Sequence, residues 1–389
     1  MDFGYTKEQE VLRKVIREFC DKEIAPKAAA FDKTGEFDYS IVEKLSKLKL
    51  VGVVMPKEYG GMGGSHIDQA IISEEMAHDS FVAAIVANTA WYMAYEVWKV
   101  GTEETKKSLI PRIYDGKKIG AHAGTEADAG TDAASISTRA VLEGDEWVIN
   151  GTKWFVTNLG KADFYFVTVR TAEDRYGGLS TIMVEKDTPG MTIGRKVNFT
   201  NNRAFSNGEL IFENCRVPKE NLIGRLNKGI SDMMGLYDVM RLYVAIGAIG
   251  IARAALEASI KFAQERIQFG KPIADFQLIR AMIADMGTEI DAARLLTYRG
   301  LYMEDKGVKR YTKESSMAKL YASEMADRVT YKAVQIHGGY GLTKDFPVER
   351  YWRDSRLCTI GEGTSEIQRL IIAAEMLRSN RVVLDSVLD

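Results

Sequence analysis

EWVINGTKWFVTN, residues 146–158, decides how the chain divides. Trp, Val, Ile, Phe and Thr dominate it, so it reads as two short β-runs, EWVING and KWFVTN, parted by a turn at Asn150–Gly151. DFYFVTVR (163–170), STIMVEK (180–186) and GELIFENC (208–215) continue the texture, giving a middle β domain over 121–227. On its N-terminal side the pattern is helical. In TKEQEVLRKVIREFCDKEIAP (6–26), Leu12, Val15, Ile16 and Phe19 keep helical spacing, Thr6 and Gln9 fit a capping box, and Pro26 closes the segment. A helical N-terminal domain over 1–120 follows. On the C-terminal side GIARAALEASIKFAQERI (250–267), IRAMIADMGTEIDAARLLTYRGLYMED (279–305) and EIQRLIIAAEML (366–377) restore the helical period and suit an antiparallel bundle over 228–389. The fold class expected is multi-domain α+β, in the order helical, β, helical.

The 389 residues can bury a sizeable core, and 46% apolar with 27% charged residues is a globular composition. A net charge of −2 favours neither nucleic acid nor an acidic membrane surface, and points to a small-molecule partner. Cys20, Cys215 and Cys358 form no CxxC pair, which argues against a disulfide framework and for a reducing, cytoplasmic setting. MDFGYTKEQE carries no secretory pattern, no apolar run is read as approaching membrane length, and the final VVLDSVLD matches no targeting address. The expectation is a protein with no membrane association.

Only four histidines, His66, His78, His122 and His337, supply metal or hydrolase chemistry, so no metal site is expected. Glu75 and His78 fit the Glu-x-x-His element of di-iron bundles, but that site needs the element twice and it occurs once. PKEYGGMGGSH (56–66) reads as a turn, since no strand precedes it and no GK[ST] follows. GAIGIA and GYGLTK sit in helical context, without the strand–turn–helix of a nicotinamide fingerprint. Denser stretches remain: AGTEADAGTD (123–132), ERIQFGKPI (265–273), QIHGGYGLTKDFPVERYWRD (335–354) and TIGEGTSEIQ (359–368). Taken singly, the first three read as a domain hinge, a helix end with cationic residues and a helix–helix turn. In the fourth, Glu362 stands alone between two glycines. Two helix-weakening residues around an acid make poor scaffold and a plausible catalytic loop.

Together these stretches resemble the acyl-CoA dehydrogenase family, in the same order and along essentially the whole chain. TEADAGTD is similar to one family signature. Gln335, Gly338, Gly339, Gly341, Leu342, Asp345, Arg350 and Asp354 match the other at every spaced position. PKEYGG, NGTKWFVTN, RIQFGKPI and EGTSEIQR resemble further family stretches. The resemblance implies an N-terminal helical domain, a middle β domain and a C-terminal four-helix bundle, usually in a homotetramer with FAD at the domain junction. It also implies an acyl-CoA substrate and an electron-transferring flavoprotein as electron acceptor.

Dehydrogenating the α and β carbons of a thioester needs a base, stabilisation of enolate-like charge, and a hydride acceptor that no side chain can provide. The resemblance makes Glu362 the base, with its own backbone N–H among the donors to the thioester oxygen. His122, Thr125, Phe155 and Thr157 match positions around the flavin ring, Phe155 standing where a tryptophan is usual. Arg266, Gln268 and Gln277, with the Gln335 and Gly338–Gly339 turn, match the pyrophosphate and adenosine contacts, reached across a subunit boundary. Thr364 and Glu366 match further FAD contacts, although an acid at Glu366 is also ordinary for a first helical turn. Thr131, Asp238 and Arg241 match positions contacting the CoA moiety or its neighbourhood and Gly363 a further substrate position, while Asp238 and Arg241 at i, i+3 also fit a plain surface ion pair.

The chain departs from the family pattern at four places: Gly361 for an aromatic residue, Gly124 for a branched aliphatic one, His122 for an aromatic or aliphatic one, and FTNNRAF (199–205) for a MGxR stretch. A missing ring at Gly361 should widen the acyl cavity, and Trp91 should shorten it, favouring a branched, cyclic or aromatic acyl group. Two alternatives stay open on the same fold: an enoyl- or aryl-acrylyl-CoA reductase run in reverse, and an acyl-CoA oxidase. A non-catalytic acyl-CoA-binding protein is the alternative from another class.

Overall fold

The computed structural model describes residues 4–379; the C-terminal VVLDSVLD lies outside them. Six helices come first: α1 (Lys7–Glu23), α2 (Ala28–Thr34), α3 (Ser40–Lys47), α4 (His66–Asp79), α5 (Phe81–Val100) and α6 (Glu103–Ile113). Eight strands follow: β1 (Gly120–Ala123), β2 (Arg139–Glu143), β3 (Glu146–Thr157), β4 (Phe164–Arg170), β5 (Leu179–Glu185), β6 (Met191–Lys196), β7 (Asn207–Pro218) and β8 (Leu222–Ile223). The chain then runs through α7 (Gly229–Glu265), a hairpin of β9 (Ile267–Gln268) and β10 (Lys271–Pro272), α8 (Gln277–Asp305), α9 (Thr312–His337), α10 (Val348–Ser355) and α11 (Ser365–Ser379).

Thr6 caps α1 with the reciprocal Gln9 bond that its sequence suggests. The glycine-rich turn before α4 spends its amides internally, Gly61, Gly63 and Gly64 donating to Pro56, Met55 and Val53 carbonyls, so they are not available to a phosphate. The sheet order is β6-β7-β3-β2-β4-β5-β8, mostly antiparallel, with β1 added parallel to β4. EWVING and KWFVTN are one strand, not two. Asn150–Gly151 is a bulge in β3 opposite β7, because Gly151 adopts φ 141° and a Cβ there would meet Thr138 Oγ1 at 2.6 Å. The sequence cue for a turn was a cue for a kink.

Helix α7 is the axis of the C-terminal half, packed against α8 and α9 and leaned on by α4. Contrary to the sequence expectation, it holds an apolar window long enough to cross a membrane, but 78% of that window is buried in the protein. The reason is its central place in the bundle. Its GAIGIA glycines permit close helix contact: a Cβ at Gly250 would lie 2.7 Å from the Glu74 carbonyl oxygen of α4.

Glu75 and His78 are both engaged in ion pairing. Glu75, 2% exposed, accepts from Arg13 (2.8 Å), Arg17 (3.1 Å) and both terminal nitrogens of Arg253 (2.8 and 2.5 Å), while His78 bridges Asp79 and Glu257. Burial raises the Glu75 carboxyl, but the Arg253 and Arg13 bonds outweigh it and hold the group at about 2. A depressed folded-state value stabilises the protein above the ordinary 4.5 and loses that contribution as pH falls toward 2. Glu75→Gln is therefore expected to cost about 3 kcal/mol near neutrality, the gap to wild type closing on acidification. Paired urea titrations at neutral and acid pH measure it.

Candidate active site

Helix α5, the loop after β1, the bulged end of β3, α7 and the loop before α11 converge on one cavity of about 290 Å³. Trp91 and Tyr92, His122 and Thr125, Phe155 and Thr157, Tyr237 and Tyr243, and Glu362 are among its walls. Glu362, the residues expected around the flavin ring and Trp91 thus share one space.

Glu362 reaches that space from an unusual backbone. Its φ is +54°, a left-handed conformation costing an L-residue about 1–2 kcal/mol, and Gly363 follows at +92°. The bend is held from beneath. Lys319 Nζ on α9 donates to the Gly363 carbonyl at 2.7 Å, and Gln368 Nε2 donates to the Glu362 and Gly363 carbonyls at 3.2 and 2.9 Å. With both carbonyls turned inward, the Glu362 N–H donates to no described residue. Burial raises the Glu362 carboxyl above its ordinary value, partly offset by the Arg241 and Lys319 cations. An acid with an elevated pKa in a cavity is suited to taking and returning a proton.

Lys319 and Gln368 escape the sequence reading. Lys319 is fully buried on the small-residue face of α9 with Ala318, Ala322 and Ala326, and burial brings its ammonium down to about 8. A lysine inside an apolar helical stripe is the signal that marks it. Lys319→Met removes both a loop anchor and a cation that favours the ionised acid, so the Glu362 pKa rises further. The pH profile of substrate-driven flavin reduction should move to the alkaline side by about one unit, a roughly tenfold loss at its acid end.

Around the flavin-ring positions, β3 bulges again between Lys153 and Val156. There Phe155 takes φ 58° and stays 49% exposed, while Asn207 Nδ2 holds its carbonyl at 3.1 Å and the Thr157 hydroxyl at 3.2 Å. His122 is driven to about 4 chiefly by burial, with Lys153 adding to it, and is neutral near pH 7. Trp154, which the sequence reading passed over, lines the same wall. Thr131 is exposed beside the lining residue Gly130, and Gly361 adjoins Glu362 without lining the cavity. Thr364 and the exposed Glu366 open α11.

Asp238 and Arg241 are not a surface pair. Both are buried, 3.1 Å apart, because Thr312 and Ser315 of α9 close over Asp238, donating to its carboxylate and carbonyl at 2.6 and 2.5 Å. Arg241 lies within the electrostatic reach of Glu362.

A second groove gathers Arg266, Gln268, Gln277, Gly338 and Gly339, and shares no lining residue with the first; Gln335 is exposed one turn away. After α7 the chain forms a hairpin, rather than a simple helix end, whose Phe269–Gly270 turn has φ values of 52° and 78°. Arg266 and Lys271 supply cations, and nothing lies within 4 Å of where a Cβ would stand on Gly338 or Gly339. Cations beside open backbone suit a pyrophosphate, as Phe155 and the two threonines suit a flat ring, so the residues present fit FAD. Among the described residues no cluster of three or more His, Cys, Asp or Glu could hold a metal.

The N-terminal, middle and C-terminal domains of acyl-CoA dehydrogenases match residues 6–117, 121–215 and 227–377. The acryloyl-CoA reductase (NADH) of Anaerotignum propionicum is 42% identical, covering 97% of this chain and 96% of its own. The caffeyl-CoA reductase-Etf complex subunit CarC of Acetobacterium woodii is 40% identical, covering 96% and 99%. The solved butyryl-CoA dehydrogenase of Megasphaera elsdenii superimposes with a TM-score of 0.94 at 36% identity, covering 97% and 100%. The chain belongs to the acyl-CoA dehydrogenase family, FAD-dependent oxidoreductases acting on the CH–CH group of acyl-CoA thioesters.

Proposed function

We propose that Glu362 is the catalytic base of this chain, exchanging a proton with the α-carbon of a compact acyl-CoA. The supporting observation is a single acid on a strained, anchored loop in the cavity that also holds Thr125, Phe155 and Thr157. The α C–H gives its proton to Glu362, the β C–H leaves as hydride, and a carbon–carbon double bond forms. Bound FAD supplies the hydride acceptor. The unspent Glu362 N–H donates to the thioester oxygen as charge builds there. Thr131, Gly363, Asp238 and Arg241 lie along the CoA, Arg241 steadying its polar portion and the ionised base. Trp91 shortens the acyl space, which favours a branched or ring-bearing group over a long chain, whereas Gly361, expected to widen it, lies outside the cavity lining.

His122, Thr125, Phe155 and Thr157 receive the flavin ring, and Thr364 and Glu366 lie along the same cofactor. Arg266, Gln268, Gln277, Gln335, Gly338 and Gly339 hold the pyrophosphate and adenosine of a second copy's cofactor. Their groove is separate from the cavity, and Phe269 at the hairpin tip is 93% exposed. Both features favour a homotetramer. Electrons pass to or from an electron-transferring flavoprotein, as the name of the Acetobacterium relative suggests. Three buried, unpaired cysteines fit a reducing cytoplasm.

Anaerobic mixing of the flavin-loaded protein with a panel of acyl-CoA thioesters tests the reading. Bleaching by ring-bearing or branched thioesters is expected; fastest bleaching by long straight chains would refute the acyl preference. The two reductase relatives favour a second reading, that the reaction runs toward the saturated thioester in the cell. Equilibrating the bound flavin against a saturated and unsaturated thioester pair decides the direction.

A further inference from the structure

Asn88, on the cavity face of α5, is fixed in a way that the reaction itself does not require. Its Oδ1 accepts from Ser73 Oγ at 3.0 Å and from Trp91 Nε1 at 3.2 Å. An indole N–H can only donate, so the atom it meets is the amide oxygen and the carboxamide cannot turn over. The Nδ2 group therefore points away from both donors. It donates to no described residue, and Asn88 lines the cavity. Neighbouring Thr89 has no such spare donor, because its hydroxyl already donates to Val86 O at 2.7 Å and accepts from Asn158 at 2.9 Å.

The clamp on Asn88 is itself held. Trp91, 1% exposed, packs edge-on against Tyr243 and Tyr95 at ring separations of 5.4 and 5.7 Å. His66 bonds both tyrosine hydroxyls at 3.0 Å, and Tyr95 donates to Glu304 at 2.5 Å, where Lys99 also binds at 2.8 Å. Burial brings His66 to about 4, so the ring is neutral. Since the Tyr95 proton goes to Glu304, its oxygen accepts from His66 Nε2–H, and Nδ1 accepts from Tyr243. Every donor in this chain points one way, and the two tyrosine rings it fixes pack against the indole that holds Asn88.

We infer that the Asn88 carboxamide is a specificity-determining donor that takes a neutral oxygen, a hydroxyl, on the acyl group, which it would meet through the accessible Nδ2–H. The inference rests on the acyl-CoA reading of the cavity. A hydroxyl is favoured over a carboxylate because no lysine or arginine lines the space and Glu362 is an acid on its wall. A ring is favoured to carry it because the aromatic rings of Phe81, Trp91, Tyr92 and Tyr243 line the same cavity as Asn88. Asn88 lies one helical turn from Tyr92, about 5–6 Å along α5, and Tyr92 feels the charge of Glu362.

Binding of 3-arylpropanoyl-CoA analogues, with sulfur in place of the β-carbon so that no double bond can form, tests this by calorimetry on the flavin-loaded protein. Phenyl, meta-hydroxyphenyl, para-hydroxyphenyl and carboxyphenyl forms are compared. At least one hydroxyl form should bind about tenfold tighter than phenyl, and the carboxyl form more weakly than phenyl. Asn88→Leu and Asn88→Ala should each erase the hydroxyl preference while still binding the phenyl form, and Ser73→Ala should reduce it. The inference is overturned if no hydroxyl form gains threefold in wild type, or if either folded Asn88 variant keeps the full preference. Should no analogue bind and no thioester bleach the flavin, the acyl-CoA reading of the cavity fails instead.

Discussion

Glu362→Gln is expected to slow substrate-driven flavin reduction by about 10²–10⁴-fold, the usual contribution of a positioned base. Glutamine keeps the size of the side chain and the left-handed backbone anchored by Lys319 and Gln368, so the loop should persist. What disappears is the lone pair that takes the α-proton. Stopped-flow reduction at saturating thioester separates this from a binding defect: the limiting rate should fall and the half-saturating concentration should change little. The pH dependence gives a second signature. Because burial raises the Glu362 pKa, the wild-type rate should climb with pH through a value above 4.5, and the residual rate of the glutamine variant should lack that rise. A glutamine variant reducing its flavin at the wild-type rate would remove Glu362 from the mechanism.

Lys153→Met is expected to destabilise the protein by about 3–5 kcal/mol, because it strands a buried carboxylate. Lys153 is fully buried and its Nζ lies 2.8 Å from Glu126 Oε1 and 3.1 Å from the Gly124 carbonyl. Glu126 also accepts from the Ser137 N–H, the Ser137 hydroxyl and the Thr138 N–H at 2.8, 2.6 and 2.9 Å. Burial raises that carboxyl, but Lys153 and these donors bring it down to about 2, so it is an anion throughout the neutral range. The pair ties together the 124–138 loop, from which Gly124, Thr125, Ala129, Gly130, Ala133 and Ile136 face the cavity. Loss of stability in urea should therefore come with loss of retained flavin. Lys153→Met with Glu126→Gln should recover part of the stability, since the second change removes the stranded charge. If the single variant unfolds at the wild-type urea concentration, the pair is not the keystone of this loop.

The physical reason Glu126 stands out only in three dimensions bears on the site as a whole. In sequence it is one acid in TEADAGTD, indistinguishable in kind from Asp128 or Asp132, yet Asp128 and Asp132 are exposed and Glu126 is buried with a lysine 27 residues away. Glu362 was legible for the opposite reason. Its flanking glycines leave it no role in a helix, so its isolation shows in the local pattern.

Helical period, capping residues and β-branched runs are local properties, and they determined the helix–strand–helix order along with the shared motifs that mark the family. Contacts between distant segments were beyond them. The Asn150–Gly151 cue became a bulge because Thr138 presses on Gly151. Asp238 and Arg241 became a buried pair because α9 covers them. Lys319 and Gln368 gained their positions through partners between 5 and 44 residues away, and Asn88 through Ser73 on a neighbouring helix together with Trp91 on its own. A backbone reports its neighbours in sequence, whereas burial and hydrogen-bond direction depend on neighbours in space, and only the packed molecule brings those together.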